Sequence, residues 1–127
     1  MTRKAIDAEP LSAAGPYSLA IDTGQFVFLS GQVHVDSATG KLVEGDIGAQ
    51  TRQCLENLKK VLAGADLGFE HVVKTTVFLT DMADFAAMNE VYAQYMVPPF
   101  PARSTIQVAA LPLGARVEIE AIAQRTT

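Results

Sequence analysis

The 127-residue chain lacks several features that specialised chemistry requires. Cys54 is its single cysteine, which excludes an internal disulfide and a cluster of thiolate metal ligands. Its two histidines, His34 and His71, stand apart, without carboxylates or thiolates at the spacing of metal ligands, so both are expected to be structural. There is no glycine-rich phosphate loop. Metal, covalent and nucleotide chemistry are therefore all disfavoured, and no cofactor is expected.

Positive charge and long apolar runs are also scarce. Lysine and arginine number 10 against 14 aspartates and glutamates, a net charge of −4, with no basic run that would attract nucleic acid. No apolar run approaches the ~20 residues that span a bilayer. The basic start is followed by Asp7 and Glu9, which interrupt any signal peptide. These absences predict a soluble, cytoplasmic, single-domain protein (residues 1–127) with neither nucleic-acid nor membrane partners.

Alternating and helical patterns fill the chain from end to end. Apolar residues recur at helical spacing from Asp46 to about Ala65 and again after Asp81. Strand patterns cover Lys4–Ile6, Tyr17–Ile21, Phe26–Ser30 and His71–Thr80, and two more strands lie within residues 100–123. The order predicts an α+β fold in which two helices pack on one face of a mixed sheet.

Four local features give sharper expectations. The nearly continuous apolar run Phe26–Leu29 predicts a strand buried on both faces. Gly31, directly after this run, indicates a bulge or a close approach of the backbone to another group. Gly68 is expected to end the first helix, and alternation predicts that Val73 shares one strand face with Thr75, Val77 and Leu79.

The most informative stretch is FPARSTIQVAALPLGARVEIEAIA, residues 100–123. It consists of two strand patterns joined by a Pro/Gly turn, with Arg103 on the first and Glu118 and Glu120 on one face of the second. Burying an unpartnered charge costs several kcal/mol, so these groups either pair as a structural ion pair or face a ligand. Both interpretations remain open from residue types alone.

A ligand-facing arrangement would combine an anion clamp with a base. Arg103 offers a planar fork for a carboxylate, whereas Glu118 and Glu120 repel each other. A cation, which could be Arg103, Lys74 or Arg116, is then expected to neutralise one carboxylate, leaving the other for proton transfer. Tyr17, after Gly15-Pro16, lies where its hydroxyl either closes over a ligand or anchors a hairpin. The pattern favours a water-using site for a small organic acid, with either glutamate as the base.

The same stretch closely resembles the terminal signature of the RidA/YjgF family, also known by the label L-PSP endoribonuclease. That signature is Arg-Ser, then Val-x-x-Leu-Pro, then Val/Ile-Glu-Ile-Glu-x-x-Ala. Further blocks agree in order along nearly the whole chain: Gly15-Pro16-Tyr17, Ser30-Gly31-Gln32, Gln50-Thr51-Arg52-Gln53, Asn57-Leu58-Lys59, Val73–Phe78, and Asp84-Phe85 with Asn89.

The resemblance implies a chorismate-mutase-like α+β subunit that assembles as a homotrimer, with clefts between neighbouring subunits. It also implies a cofactor-independent deaminase. Members of the deaminase branch hydrolyse reactive 2-imino acids, the tautomers of enamines released by serine/threonine dehydratases, to 2-oxo acids and ammonia.

Residue roles follow by position from this resemblance. Arg103 would bind the substrate carboxylate, Glu118 would deprotonate the attacking water and return a proton to the departing nitrogen, and Tyr17 would line and close the pocket. Ser30, Gly31, Lys74, Asn89 and Thr105 would surround the substrate. One departure is Thr105, where many members have Cys, which predicts altered substrate preference rather than loss of activity.

Three other functions remain compatible with the sequence. The chain could deaminate another unsaturated amino acid, such as 2-aminomuconate or the aminoacrylate of pyrimidine breakdown. It could instead be a non-enzymatic trimeric sensor of small acids or a chaperone-like protein. Ribonuclease activity follows only from the family's older label, and the acidic charge balance disfavours it.

Overall fold

Two helices lie on one face of a mixed sheet, which confirms the α+β prediction. The computed structural model describes residues 2–125. Its strands are β1 (Lys4–Ile6), β2 (Ala20–Asp22), β3 (Phe26–Val33), β4 (Val35–Asp36), β5 (Lys41–Leu42), β6 (Val72–Leu79), β7 (Ala102–Gln107) and β8 (Val117–Gln124). Its helices are α1 (Ile47–Gly64) and α2 (Phe85–Tyr95).

The six-stranded sheet has the order β1-β2-β3-β8-β6-β7, and β4 and β5 form a separate two-stranded ribbon. Neighbouring strands of the main sheet are antiparallel except for β6 and β7, which are parallel. A parallel pair needs a crossover connection, and α2 supplies it. The last two strands, which a Pro/Gly turn joins in the sequence, are not neighbours in the sheet, because β6 lies between β7 and β8.

Helix α1 begins as its sequence predicts but ends differently. Asp46 is the N-cap, and its Oδ1 accepts a hydrogen bond of 2.9 Å from the Ala49 N–H. The helix ends at Gly64, and Asp66, with φ of 60°, turns the chain away. Gly68 is therefore not the terminator. Asp66 can take this left-handed conformation because a short polar side chain tolerates it.

The core lies between the helices and the inner sheet face. It includes Cys54, Leu55, Leu58, Val61, Leu62, Met88, Val117 and Ile119, all fully buried. Burial raises the pKa of the Cys54 thiol, and the charge of Glu118 adds to the rise. Cys54 is thus a packing residue, as its position on the apolar stripe predicts.

Two predicted strand faces need correction. Val27 and Leu29 are buried, but Phe28 between them is 45% exposed, so the run is not buried on both faces. In β6 the register shifts between Val72 and Lys74, which places Val72 in the core and leaves Val73 40% exposed. The helices cover one sheet face only, and a bulge reverses the side on which a residue lies.

Candidate active site

A cavity of about 340 Å³ opens beside β3 and the start of β8. Three predicted site residues line it: Tyr17, Gly31 and Glu118. The rest of its wall is largely apolar and includes Pro10, Leu11, Leu19, Val33, Val35 and Leu113. A small concave apolar space with one carboxylate suits a small organic molecule.

Glu118 is the acidic group of this cavity. It is half-buried on β8, and a Cβ atom at Gly31 would overlap its carboxylate, so glycine is required for this approach. The register of β3 against β8 shifts between Leu29 and Gln32, which confirms the bulge expected at Gly31. Burial raises the pKa of Glu118, and the charge of Glu120 raises it further. A carboxyl with a raised pKa takes up protons more readily than an exposed one.

Tyr17 lies at the mouth of the cavity and is 52% exposed. Its hydroxyl accepts a hydrogen bond of 3.3 Å from the Ala14 N–H, within the same loop. Ser30 holds the loop from the other side, since its Oγ donates to the Ser18 carbonyl at 2.6 Å. Ser30 thus positions the segment that carries Tyr17.

Arg103 lies in a second cluster, on the opposite side of the sheet. Its Nη1 donates to Asn89 Oδ1 at 2.7 Å. Its guanidinium carbon lies 4.7 Å from the ring centroid of Tyr92 and 5.5 Å from that of Phe85. The Thr75 and Tyr92 hydroxyls share a hydrogen bond of 2.7 Å that fixes the ring beneath the guanidinium. Stacking and hydrogen bonding together orient the arginine fork.

Thr105 follows Arg103 by two residues on the same strand face. Its Oγ1 is buried and has no hydrogen-bond partner within the described chain. An unpaired buried hydroxyl typically costs about 1–3 kcal/mol, so such a group is expected to have a partner in the functional state.

Strand register separates the Arg103 guanidinium from the two glutamates within one chain. Arg103 is paired in register with Thr75, whereas Glu120 is paired with Thr76 and Glu118 with Phe78. Adjacent residues of β6 point to opposite faces, so Arg103 lies on the helix side and both glutamates on the open side. Of the two interpretations that the sequence leaves open, a structural ion pair between Arg103 and either glutamate is therefore wrong within a single chain.

The other predicted cations do not pair with Glu118 either. Lys74 lies on the open sheet face with the glutamates, in register with Ile122 and not beside Arg103. Arg116 donates to both Asp84 oxygens, at 3.0 and 3.1 Å. Among residues 2–125 the ion pairs include neither glutamate, which leaves burial and mutual repulsion to set the pKa of Glu118.

Sequence reasoning missed the two aromatic partners of Arg103. Phe85 and Tyr92 form part of the apolar stripe of α2 and are readily assigned to the core. Asn89, however, is four residues after Phe85 and three before Tyr92, so all three share one helix face. A polar residue inside an aromatic stripe was the available signal. Pro112 and Leu113 of the Pro112–Gly114 turn also line the cavity, and the sequence of this turn gives a weaker signal for a role in the site.

The described part of the chain lacks two features of other protein classes. Within residues 2–125, no group of three or more His, Cys, Asp or Glu side chains is arranged to hold a metal ion. Over the same part of the chain, neither helix combines the length and apolar character needed to cross a membrane.

Comparison with known proteins gives concordant matches. The family model described as endoribonuclease L-PSP matches residues 7–125. The protein DfrA of Myxococcus xanthus is 53% identical over 97% of this chain and 96% of its own length. The human 2-iminobutanoate/2-iminopropanoate deaminase is 46% identical over 91% of this chain and 85% of its own.

Solved structures agree with these sequence matches. The crystal structure of Escherichia coli TdcF with bound serine superposes with a TM-score of 0.90 at 42% identity, covering 97% of this chain and 99% of that one. The motifs, the fold and these matches agree, and the chain belongs to the RidA/YjgF family, whose family model carries the endoribonuclease L-PSP description.

Proposed function

We propose that this protein is a cofactor-independent deaminase that hydrolyses 2-iminobutanoate and 2-iminopropanoate to 2-oxo acids and ammonia. The observation that carries the proposal is the half-buried Glu118 carboxylate, which lines a small cavity and has a raised pKa. Relatives 46–48% identical to this chain bear the name of this deaminase, which supports the same reaction here.

The reaction needs one group that first accepts and later returns a proton. Glu118 takes a proton from a water molecule, whose oxygen then forms a bond to the imine carbon. The C=N double bond becomes a single bond, and Glu118 returns the proton to the nitrogen, which gives a neutral carbinolamine. In the second half, Glu118 takes the proton of the carbinolamine hydroxyl as the carbonyl forms, and passes it to the nitrogen as the C–N bond breaks and ammonia leaves. A positioned general base typically contributes about 10²–10⁴-fold to such a step.

Arg103 is proposed to bind the substrate carboxylate. The Arg103 guanidinium has five N–H donors, and one of its nitrogens, Nη1, donates to Asn89. The Tyr92 and Phe85 rings support the plane of the guanidinium. A two-point hydrogen bond from such a fork fixes both the position and the rotation of a planar acid. The unpaired Thr105 hydroxyl lies on the same face and is proposed as a further donor to the substrate.

Because the sheet separates Arg103 from Glu118, we propose that each site is shared between two subunits of a homotrimer. The open sheet face carries exposed apolar side chains, among them Phe28 and Ile106, each 45% exposed. Packing this face against another copy would remove apolar surface from water. One subunit would then supply Tyr17, Ser30, Gly31 and Glu118, while its neighbour supplies Arg103, Asn89 and Thr105. Lys74, on the open face, would lie at the border of the site.

The test combines activity with subunit mixing. Purified protein should accelerate ammonia release from 2-aminoacrylate generated by a serine/threonine dehydratase, and Arg103→Ala and Glu118→Gln should each lose this activity. When equal amounts of the two inactive variants are unfolded and refolded together, each mixed trimer should contain one complete site, so about a quarter of all sites should recover activity. Mixing that restores nothing would contradict shared sites. An unchanged rate in Arg103→Ala would contradict the deaminase proposal itself.

One alternative has a specific observation in its favour. The solved relative TdcF was crystallised with bound serine, so a role in binding small amino or oxo acids without turnover is the second proposal. Titration of 2-oxobutyrate into the protein separates the two proposals when it is combined with the dehydratase assay. Binding without any acceleration of ammonia release would favour the sensor.

A further inference from the structure

The two walls of the cavity are joined by a buried histidine that the proposed reaction does not use. His34 lies between β3 and β4 and is 3% exposed. Its chain neighbours Val33 and Val35 both line the cavity. The Nδ1 atom lies 3.0 Å from the Val43 carbonyl, and Nε2 accepts a hydrogen bond of 3.2 Å from the Arg116 N–H.

These partners define the state of the ring. A carbonyl only accepts and a backbone N–H only donates, so Nδ1 carries the hydrogen and Nε2 offers a lone pair. The arrangement requires a neutral imidazole, because a protonated ring has donors at both nitrogens and would oppose the Arg116 N–H.

Arg116 connects this bond to the rest of the cavity. It lies between the Pro112–Gly114 turn, which lines the cavity, and β8, which carries Glu118 two residues later. The Arg116 carbonyl accepts a hydrogen bond of 3.1 Å from the Thr80 N–H, which fixes the other side of the residue to the end of β6. Val33 and Val35 together form one wall of the cavity, here called the valine wall. The His34 bond thus ties the valine wall to the turn and to the start of β8.

The valine wall is held independently from the helix side. Asn57, fully buried on α1, donates from Nδ2 to the carbonyls of Val33 at 3.2 Å and Val35 at 2.9 Å. Gln53 in turn donates to Asn57 Oδ1 at 2.9 Å. Because α1 anchors the wall on its own, loss of the His34 bond is expected to loosen the Pro112–Arg116 segment, which the Thr80 and Asp84 contacts of Arg116 still hold at one end, and to leave the wall in place.

We propose that His34 is a positioning residue that, in its neutral form, holds the Pro112–Arg116 segment against the valine wall, and that protonation of the ring releases this segment. The charged residues of the surrounding elements are Asp36 and Lys41 on the ribbon, Glu44 after it, Arg52, Glu56, Lys59 and Lys60 on α1, Arg116 before β8, Glu118 and Glu120 on β8, and Asp84 paired with Arg116. Burial lowers the pKa of His34, while the Val43 hydrogen bond opposes this and the Arg116 charge adds to the lowering.

The lowered pKa of His34 sets the direction of the pH effect. With a folded-state pKa below the usual 6.5, the neutral ring is favoured by the fold, and its contribution to stability is complete above that value. As the pH falls through 6.5 and then through the folded pKa, this contribution is lost. Release of the segment in the folded protein follows protonation of the ring, so it is expected as the pH falls through the folded-state pKa of His34, below 6.5.

Nuclear magnetic resonance tests the proposal on the unmodified protein and without reference to catalysis. The His34 ring should show the Nδ1–H tautomer at about pH 8. As the pH falls from about 8 through the folded-state pKa of His34, which the ring signals locate in the same titration, protection of the Arg116 amide from hydrogen exchange should fall about tenfold after correction for the intrinsic rate. The Nε2–H tautomer, or unchanged protection, would overturn the proposal.

Two matched variants separate positioning from general stability. In His34→Gln the amide can donate to Val43 and accept from Arg116 but cannot titrate, so Arg116 protection should no longer depend on pH. His71→Gln alters the other histidine, 18% exposed in its side chain, and should leave that dependence unchanged. A final readout rests on the proposed function: an acidic limb of the deamination rate should be present in the wild type and weakened in His34→Gln. Loss of the Arg116 effect in both variants would contradict a specific role for His34.

Discussion

The Glu118 region and the Arg103 region of this protein differ in how their charges are held. Glu118 lies against an apolar cavity and forms no ion pair within residues 2–125. Its burial raises its pKa. Arg103 is hydrogen-bonded to an amide and stacked over two rings. The carboxylate is therefore held in an unfavourable environment, whereas the guanidinium is supported by its surroundings.

This difference indicates opposite consequences for stability. A group that the fold disfavours in its charged form is a candidate for proton transfer, and its removal stabilises the protein. A group oriented by several contacts is a candidate for binding, and its removal weakens packing. Mutations in the two regions can therefore confirm or break the assignment of base and clamp.

The largest expected effect is that of Glu118→Gln. Imine hydrolysis should fall by about 10²–10⁴-fold, the usual contribution of a general base. Because the folded pKa of Glu118 is raised above 4.5, ionisation destabilises the fold as pH rises through that region, so the neutral amide should raise Tm at pH 7. Steady-state rates and thermal unfolding measure the two effects.

Glu120→Gln is the matched control for this change. It removes the neighbouring charge that raises the pKa of Glu118, but Glu120 is exposed and does not line the cavity. Activity should be retained, and the acidic limb of the pH–rate profile should move to lower pH. A larger rate loss in Glu120→Gln than in Glu118→Gln would assign the base to Glu120 instead.

Arg103→Lys tests the clamp with the charge preserved. Lysine keeps the positive charge but loses the planar fork and its stacking on Tyr92 and Phe85. Deamination should lose about ten- to a hundredfold in kcat/KM, the value of one or two charge-assisted hydrogen bonds. The change should appear mainly in KM, since the base remains in place.

Arg52→Lys provides the comparison away from the site. Arg52 also stacks on a tyrosine, with its guanidinium carbon 5.8 Å from the Tyr95 ring centroid, and it donates to Gln94 at 2.9 Å. This substitution should change kcat/KM by less than about twofold. Equal losses in both variants would show that the effect of Arg103 is structural.

The elements of the fold were largely predictable, but the faces of the strands were not. Helix periodicity and the Asp46 cap place α1 correctly because both signals are local. Phe28 and Val73 failed for non-local reasons, since exposure depends on which sheet face the helices cover and on where a bulge shifts the register. Alternation alone fixes neither property.

The candidate site shows the same limit. The sequence pattern brings Arg103 and Glu118 together in space only if their two strands are neighbours in the sheet. Strand β6 lies between those strands, and the register places the two side chains on opposite faces. Tyr17, Gly31 and Glu118 line one cavity, while the roles that the resemblance implies for them stay predictions. Spacing alone could not bring together residues that are about 100 positions apart.

Gly31→Ala sharpens the comparison within the Glu118 region. Gly31 does not have a positive φ, so an added methyl group acts only through its overlap with the Glu118 carboxylate. Displacement of the base should reduce activity by about tenfold with a small change in Tm. Gly48→Ala on α1 is the control, because its Cβ would meet neighbours at 3.4 Å or more. Full activity in Gly31→Ala would argue against a fixed position of Glu118.

The smallest expected effect concerns Thr105, in the Arg103 region. Thr105→Val removes a buried hydroxyl that has no partner in the described chain, so the free energy of unfolding should rise by about 1 kcal/mol. Thr75→Val is the matched control, because the Thr75 hydroxyl is bonded to Tyr92 at 2.7 Å and its loss should lower the free energy of unfolding by about as much. If the Thr105 hydroxyl donates to the ligand, Thr105→Val should also weaken 2-oxobutyrate binding several-fold by calorimetry. Stabilisation without any loss of binding would confine ligand recognition in this region to Arg103 and Asn89.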